Sequence, residues 1–243
     1  MPSPIYVIPD IHGHLDILEQ ALALIEAHAG SDAQIVFLGD YVDRGPEARG
    51  VLQTLIDGAE ADRNWIAIRG NHDQLLLDAV TQQMPDEERL HWWLSDRMGG
   101  STTLASYGVY DPRSKIDWHG LIPDEHRFFL QSLPYSFETD DLFFCHAGVQ
   151  PGVPLDQQST NDLIWIREPF LSDNSDHGKL VVHGHTPVDH PRHYGNRVAL
   201  DGGTAWGRQL HVAVFEGRKA WLLKGAGRAP LEPQPQDDSQ IWE

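Results

Sequence analysis

Gly39-Asp40-Tyr41-Val42-Asp43-Arg44-Gly45 follows the apolar run Ile35-Val36-Phe37-Leu38 without a gap. Two acids and an arginine thus stand between glycines, where a buried strand has just ended. Unpaired charge in a protein core is costly. A metal ion would engage the acids, and an anion would engage the arginine. The chain on either side tests that reading.

Upstream, Ile5-Tyr6-Val7-Ile8 is a continuous apolar run suited to a strand buried on both faces. It ends in Pro9-Asp10-Ile11-His12-Gly13-His14. Leu15, Leu18, Leu22 and Ile25 then recur at helical spacing toward Gly30, with His14 at the helix start. Downstream, Pro46 stands where a helix can begin, and Val51, Leu52 and Leu55 mark its inner face. Trp65-Ile66-Ala67-Ile68 reads as a third strand, ending in Arg69-Gly70-Asn71-His72-Asp73, and Leu75, Leu76 and Val80 carry a helix out of it. This β-α-β-α-β-α order predicts right-handed crossovers and a parallel sheet.

From 84 to 134 the pattern changes. Charged and aromatic residues mix without strand signals, which predicts a mainly helical insertion over one end of the sheet, with a last helix from Asp124 to Leu130. Trp92-Trp93 there is read as core packing ahead of a stacking surface. Strands return at Leu142-Phe143-Phe144-Cys145, before His146-Ala147-Gly148, and at Leu180-Val181-Val182, before His183-Gly184-His185-Thr186. Arg197-Val198-Ala199-Leu200 leads into Asp201-Gly202-Gly203, read as a structural turn. Two further strands flank Glu216-Gly217-Arg218-Lys219, a hairpin turn. The fold class is therefore α/β, with two packed sheets and helices outside. One domain is expected over 1–225. The proline-rich stretch 226–243 is expected to be a flexible tail.

The chain carries 18 basic and 36 acidic residues, a net charge of −18. Such a surface argues against nucleic acid or an anionic membrane as partner. The single cysteine, Cys145, rules out an internal disulfide and a cysteine-based zinc site. No stretch has the pattern of a signal peptide or a membrane span. A cytoplasmic setting is expected.

Five strands in succession deliver potential metal ligands: Asp10 and His12, Asp40, Asn71 and His72, His146, and His183 or His185. In open α/β sheets, ligands gather outside the carboxyl ends of the strands. Carboxylate, imidazole and amide oxygen without thiolate suit Mn, Fe, Zn or Ni. The donors suffice for two ions sharing one carboxylate, and a pair roughly 3.5–4 Å apart can activate water and clamp a phosphoryl group. Two divalent ions would outweigh the charges of Asp10 and Asp40, leaving a local positive site in an acidic protein.

These motifs, in this order, resemble those of the calcineurin-like metallophosphoesterases. More narrowly they resemble the phosphoprotein (serine/threonine) phosphatases in their compact bacterial and phage form, from about Ile5 to Gly217. The resemblance implies a four-layer α/β/β/α fold. It implies that Asp10, His12 and Asp40 hold one divalent ion, most simply manganese, and that Asp40, Asn71, His146 and His185 hold a second. His72 would be the general acid and Asp43 would orient it. Arg44 would grip phosphate, joined by Arg167 from Trp165-Ile166-Arg167. His183 would then lie behind the ligands or in the core. The implied substrate is a phosphorylated protein or a small phosphorylated molecule. Arg69, before Gly70-Asn71-His72, leans toward the protein phosphatases. The alternative is a symmetrical diadenosine tetraphosphate hydrolase, with Trp92, Trp93, Tyr107 and Tyr110 as possible adenine holders. Pro9 and Asp73 depart from the family pattern without touching a proposed ligand.

Overall fold

The computed structural model describes residues 3–111 and 120–234. Its first three strands are β1 (Ile5–Ile8), β2 (Gln34–Phe37) and β3 (Trp65–Ala67). They pair in parallel through α1 (Leu15–Ala29) and α2 (Ala48–Glu60), and α3 (Asn71–Val80) follows β3 at once. The insertion supplies α4 (Glu87–Trp93), α5 (Gly100–Ser106) and α6 (Asp124–Ser132). Next come β4 (Ser136–Glu138), β5 (Leu142–Cys145), α7 (Thr160–Trp165), β6 (Leu180–His183), β7 (Arg192–His193) and β8 (Arg197–Ala199). The chain closes with β9 (Ala213–Glu216), β10 (Lys219–Lys224) and β11 (Gly227–Pro230).

Two sheets result. One has the order β11-β10-β9-β1-β2-β3 and the other β4-β5-β6-β8-β7. The β9–β10 hairpin turns at Gly217-Arg218, as the sequence predicts, and β9 joins β1 antiparallel. The alternation of side chains along a strand explains the layers. Val7, Val36 and Leu38 from one sheet meet Phe144, Val182 and Val198 from the other in a shared core. The intervening residues Tyr6, Ile8, Ile35 and Phe37 face outward, where Leu18, Ile25, Val51 and Leu52 of α1 and α2 cover them. On the far side Phe143, Cys145 and Val181 are covered by Leu163 and Ile164 of α7 and by Phe170. Both faces of the central strands are thus buried, and each such aliphatic or aromatic side chain contributes about 1.5–3 kcal/mol. The continuous apolar runs follow from that. Cys145 is a buried filler, and burial pushes its thiol pKa up.

The insertion joins the core of α2 and α3 through Leu104, Tyr107, Ile122 and Leu130. His126 of α6 is locked between the Tyr107 hydroxyl at 2.6 Å and Gln53 of α2 at 3.0 Å. Residues 112–119, within the predicted insertion, lie outside the described residues.

One boundary needs correction. The stretch from 226 was expected to be flexible, yet Gly227–Pro230 is strand β11, paired antiparallel with β10. Arg228 bonds Glu216, and the Gln234 amide donates to His193 at 2.8 Å. An edge strand tolerates proline at its end, so proline content alone misled. Residues 235–243 lie outside the described residues. Among the described residues no helix is long and apolar enough to cross a membrane.

Candidate active site

The loops after β1, β2 and β3 are stitched together by backbone. The His12 amide donates to the Asp40 carbonyl at 2.8 Å, and the Gly13 amide to that of Tyr41 at 2.9 Å. Asp73 ties the β2 and β3 loops. It accepts from the amides of Asp40 at 2.8 Å, Tyr41 at 2.9 Å and Gly70 at 2.9 Å. Burial, then Asp40, raises its pKa to about 7, with the amides opposing. His12, Asp40, Asp43, Arg44 and His185 all have positive φ, between 49° and 71°. Such conformations cost about 1–3 kcal/mol each and gather where function demands them. Two glycines permit the close approach. A Cβ on Gly70 would lie 2.2 Å from Asp40 Oδ1, and one on Gly184 would lie 2.0 Å from Asp10 Oδ1.

Asp40 is the centre of the arrangement. Its Oδ2 is 3.5 Å from His12 Nε2, 3.4 Å from His146 Nε2 and 4.0 Å from His72 Nε2. Two groups with metal-binding geometry share it: His12, Asp40 and His72, and Asp40, His146 and His185. Burial opposes its charge, but His146, His72 and His12 outweigh that and hold its pKa well below the usual carboxylate range. Asn71 Oδ1 completes the second group, 2.9 Å from both His146 Nε2 and His185 Nδ1. Asp10 accepts from the His185 amide at 3.1 Å. Burial, then Asp201, raises the Asp10 pKa well above its usual value, and Asp40 adds to this.

The imidazoles test whether these residues suit a metal. A carbonyl only accepts, so Nδ1 of His146 must donate its hydrogen to the Leu38 carbonyl at 2.8 Å, and Nδ1 of His12 must donate to that of Val42 at 3.0 Å. Each thereby turns its Nε2 toward the site, the orientation that outer partners impose on metal-binding histidines. His146 Nε2 faces Asp40 and Asn71 oxygens, a place that calls for positive charge, either a proton on Nε2 or a divalent ion. Burial lowers the His146 pKa, but Asp40 and Asp10 prevail and raise it to about 10. His12, by burial and then Arg44, and His185, by burial and then His146, are held well below the usual histidine value. They are neutral, the form that binds metals. The donor set therefore fits divalent ions.

The resemblance implies Asp10 with His12 and Asp40 as the first metal group. His12 and Asp40 lie together with His72 beside them, and Asp10 sits against the His185 amide, close enough to Asp40 to feel its charge. His183 is fully buried. It packs edge-on against Phe170 at 5.1 Å, and burial, then Arg197, lowers its pKa to about 3.

His72 Nδ1 lies 2.7 Å from Asp43 Oδ2, and its backbone amide donates to Asp40 Oδ1 at 2.9 Å. Asp43 is fully buried. Trp93 Nε1 donates to its Oδ2 at 2.8 Å, and the Thr103 hydroxyl to its Oδ1 at 2.7 Å. Those two insertion residues had no ligand-like signal in the sequence. Trp93 was read as core, which it is, but its indole also holds a carboxylate.

Arg44 Nη1 donates to His12 Nε2 at 2.7 Å, and its guanidinium lies 4.8 Å over the exposed ring of Trp206. Its Nε donates to the Arg97 carbonyl at 3.4 Å. Arg167 is near enough that, after burial, Arg97 and Arg44 lower its pKa. Three arginines thus lie close enough to feel one another's charge, and Arg97 escaped the sequence reading. Asp201 is buried, and its Oδ1 accepts from the Gly203 amide at 2.8 Å, the bond of a structural turn. Burial, together with Asp40, raises its pKa to about 6 against that amide. Arg69 is buried, and its guanidinium bonds the Leu130 and Gln131 carbonyls, Gln74 and Tyr135. It anchors α6 to the β3 loop.

A two-sheet sandwich with histidine–carboxylate clusters at its strand ends defines a metal-dependent phosphoesterase. The calcineurin-like phosphoesterase family matches residues 3–215, and the chain belongs to that family. It is 27% identical to serine/threonine-protein phosphatase 1 of Salmonella typhimurium, over 87% of this chain and 92% of that one. It is 29% identical to the symmetrical bis(5'-nucleosyl)-tetraphosphatase of Vibrio campbellii, over 70% of this chain and 58% of that longer protein. A crystal structure described as a candidate diadenosine tetraphosphatase superposes with a TM-score of 0.67 and 21% identity, covering 94% of this chain and 95% of that one. That likeness concerns the fold. The family depends on a dinuclear metal centre, and the chain is a phosphoester hydrolase.

Proposed function

We propose that the protein is a phosphomonoesterase acting on phosphoserine and phosphothreonine in proteins. The observation that carries this is the buried His72–Asp43 pair beside Asp40. Alkoxide is a poor leaving group, so proton donation is worth about 10²–10⁴ in rate. Asp43 stabilises the charged imidazole, and His72 Nε2–H gives the proton to the departing oxygen. Trp93 and Thr103 keep Asp43 in place. Arg44 and Arg167 bind phosphoryl oxygens, for which guanidinium geometry is suited.

Two divalent ions, manganese by preference, would supply Lewis acidity and an activated water. His12, Asp40 and Asp10 would hold one, and Asp40, Asn71, His146 and His185 the other. The His12 Nε2 lone pair serves one partner at a time. With His12 engaged by an ion, Arg44 would be free to bind the substrate.

A second reading, a symmetrical dinucleotide polyphosphate hydrolase, draws support from the Vibrio campbellii relative. Of its proposed adenine holders, Trp93 and Tyr107 are buried. That leaves Trp92, beneath Arg89, and Tyr110, which is 85% exposed. The test compares phosphopeptides with diadenosine tetraphosphate in Mn(II). The first reading expects higher kcat/KM on phosphopeptides. A preference of more than about a hundredfold for the dinucleotide, about 2.7 kcal/mol, overturns it.

A further inference from the structure

The turn after β8 holds a tryptophan in a closely bonded frame. Gly203 and Gly207 bound it with φ of 84° and 75°, a region that glycine enters without strain. The Gly203 amide donates to Asp201 Oδ1 at 2.8 Å. Its carbonyl accepts from the amides of Trp206 at 3.0 Å and Arg208 at 3.3 Å, and the Gly207 amide donates to the Thr204 carbonyl at 2.9 Å. Thr204, in the same turn, is buried, and Arg208 pairs with Asp189. Trp206 is nevertheless 59% exposed and, among the described residues, joins none of the three hydrophobic clusters. The backbone, and not burial in a core, therefore sets where its ring stands.

That ring covers Arg44, whose guanidinium lies 4.8 Å from its centroid. Arg44 comes from the loop after β2 in the first sheet, and Trp206 from the loop after β8 in the second. The two hydrogen bonds of the Arg44 side chain are long or conditional. Its Nε reaches the Arg97 carbonyl at 3.4 Å, and its Nη1 uses His12 Nε2, an atom that an ion would claim. The indole face depends on neither, because a guanidinium is attracted to the π-face of an aromatic ring wherever the two are held together. An arginine that must be ordered at the moment of binding loses affinity, and ordering it beforehand recovers that loss.

We propose that Trp206 is a positioning residue for the phosphate-binding arginine, its indole face keeping the Arg44 guanidinium ordered for the substrate's phosphoryl group when His12 no longer holds it. This rests on Arg44 as a phosphate ligand, which both readings of the function share, and not on which ester is cleaved.

The experiment titrates the full chain, loaded with Mn(II), with inorganic phosphate in a calorimeter, and measures KM and kcat on p-nitrophenyl phosphate beside it. Trp206→Leu keeps an apolar side chain and removes the π-face. It should weaken phosphate about two- to fivefold, the worth of one exposed cation–π contact, and raise KM more than it lowers kcat. Trp206→Phe, which keeps a smaller π-face, should fall between parent and Trp206→Leu. Arg44→Ala should weaken phosphate further than either, and Trp206→Leu added to it should cost nothing more, as for two residues acting through one contact. Unchanged phosphate affinity in Trp206→Leu overturns the proposal. So does a full Trp206→Leu loss in the Arg44→Ala background, which would mean that the ring acts on the ligand or the turn directly. A rise in KM on the aryl ester without a change in phosphate affinity would make Trp206 a platform for the leaving group, and also overturns it. If Arg44→Ala itself leaves phosphate affinity unchanged, the assignment of Arg44 fails and this proposal fails with it. The titration needs no turnover, so a failure of the protein-phosphatase reading alone leaves its result standing.

Discussion

The loops at the strand ends and the helical insertion build the same site by opposite means. In the loops, charged residues sit in left-handed backbone, between glycines pressed against carboxylates. In the insertion, short helices of ordinary composition place Trp93 and Thr103 on Asp43, and the Arg97 carbonyl on Arg44. Reacting groups demand rare residue types in rare conformations, and positioning groups do not. The first kind can be seen in a sequence, and the second only in a structure.

The sharpest break in that contrast comes from the loops. Asp40→Asn should cost more than about 100-fold in Mn(II) affinity, above the roughly 10–100-fold typical of an outer partner, and turnover should vanish. Calorimetric titration measures it. Two ions still bound tightly would end the shared role of Asp40. Next, His72→Asn should keep its metal content and lose about 10²–10⁴ in turnover on alkyl phosphates. Aryl phosphates, whose leaving group needs less help, should lose much less. Equal losses on both would remove His72 as the proton donor.

The insertion should show a smaller effect of the same kind. Trp93→Phe keeps the ring and removes one hydrogen bond to a buried carboxylate, a change of about 1–3 kcal/mol. We expect roughly a tenfold loss on alkyl phosphates, again with aryl phosphates spared. A loss that ignores the leaving group would mean that the insertion does not act through Asp43.

The smallest effect concerns stability alone. Burial, then Arg49, lowers the His126 pKa to about 4. The unfolded value is near 6.5, so between these values the unfolded chain binds the proton more tightly. The stabilising contribution is complete above about pH 6.5. It is lost as pH falls toward 4. Denaturant midpoints of the parent chain should therefore drop across that window more than those of His126→Asn. Parallel slopes would contradict a neutral, buried His126.

Much of the fold was legible because the central strands are buried on both faces and read as unbroken apolar runs. β4, the two-residue β7 and β11 escaped because edge strands are short and owe their form to the neighbour they pair with. Arg69 shows a related limit. Its motif position is legible in the sequence, whereas its bonds to Leu130 and Gln131 are not.

The sequence by itself determined the donor set and its order along the chain. Carboxylate, imidazole and amide oxygen at five strand ends admit little chemistry besides a divalent metal centre. The tertiary structure alone decided who meets whom. It sets His185 against Asp10, 175 residues away, and seats Trp93 beneath Asp43. Ligand chemistry is a property of single residues and is written locally. Proximity is set by packing energy spread over two sheets and their helices, and no short stretch contains it.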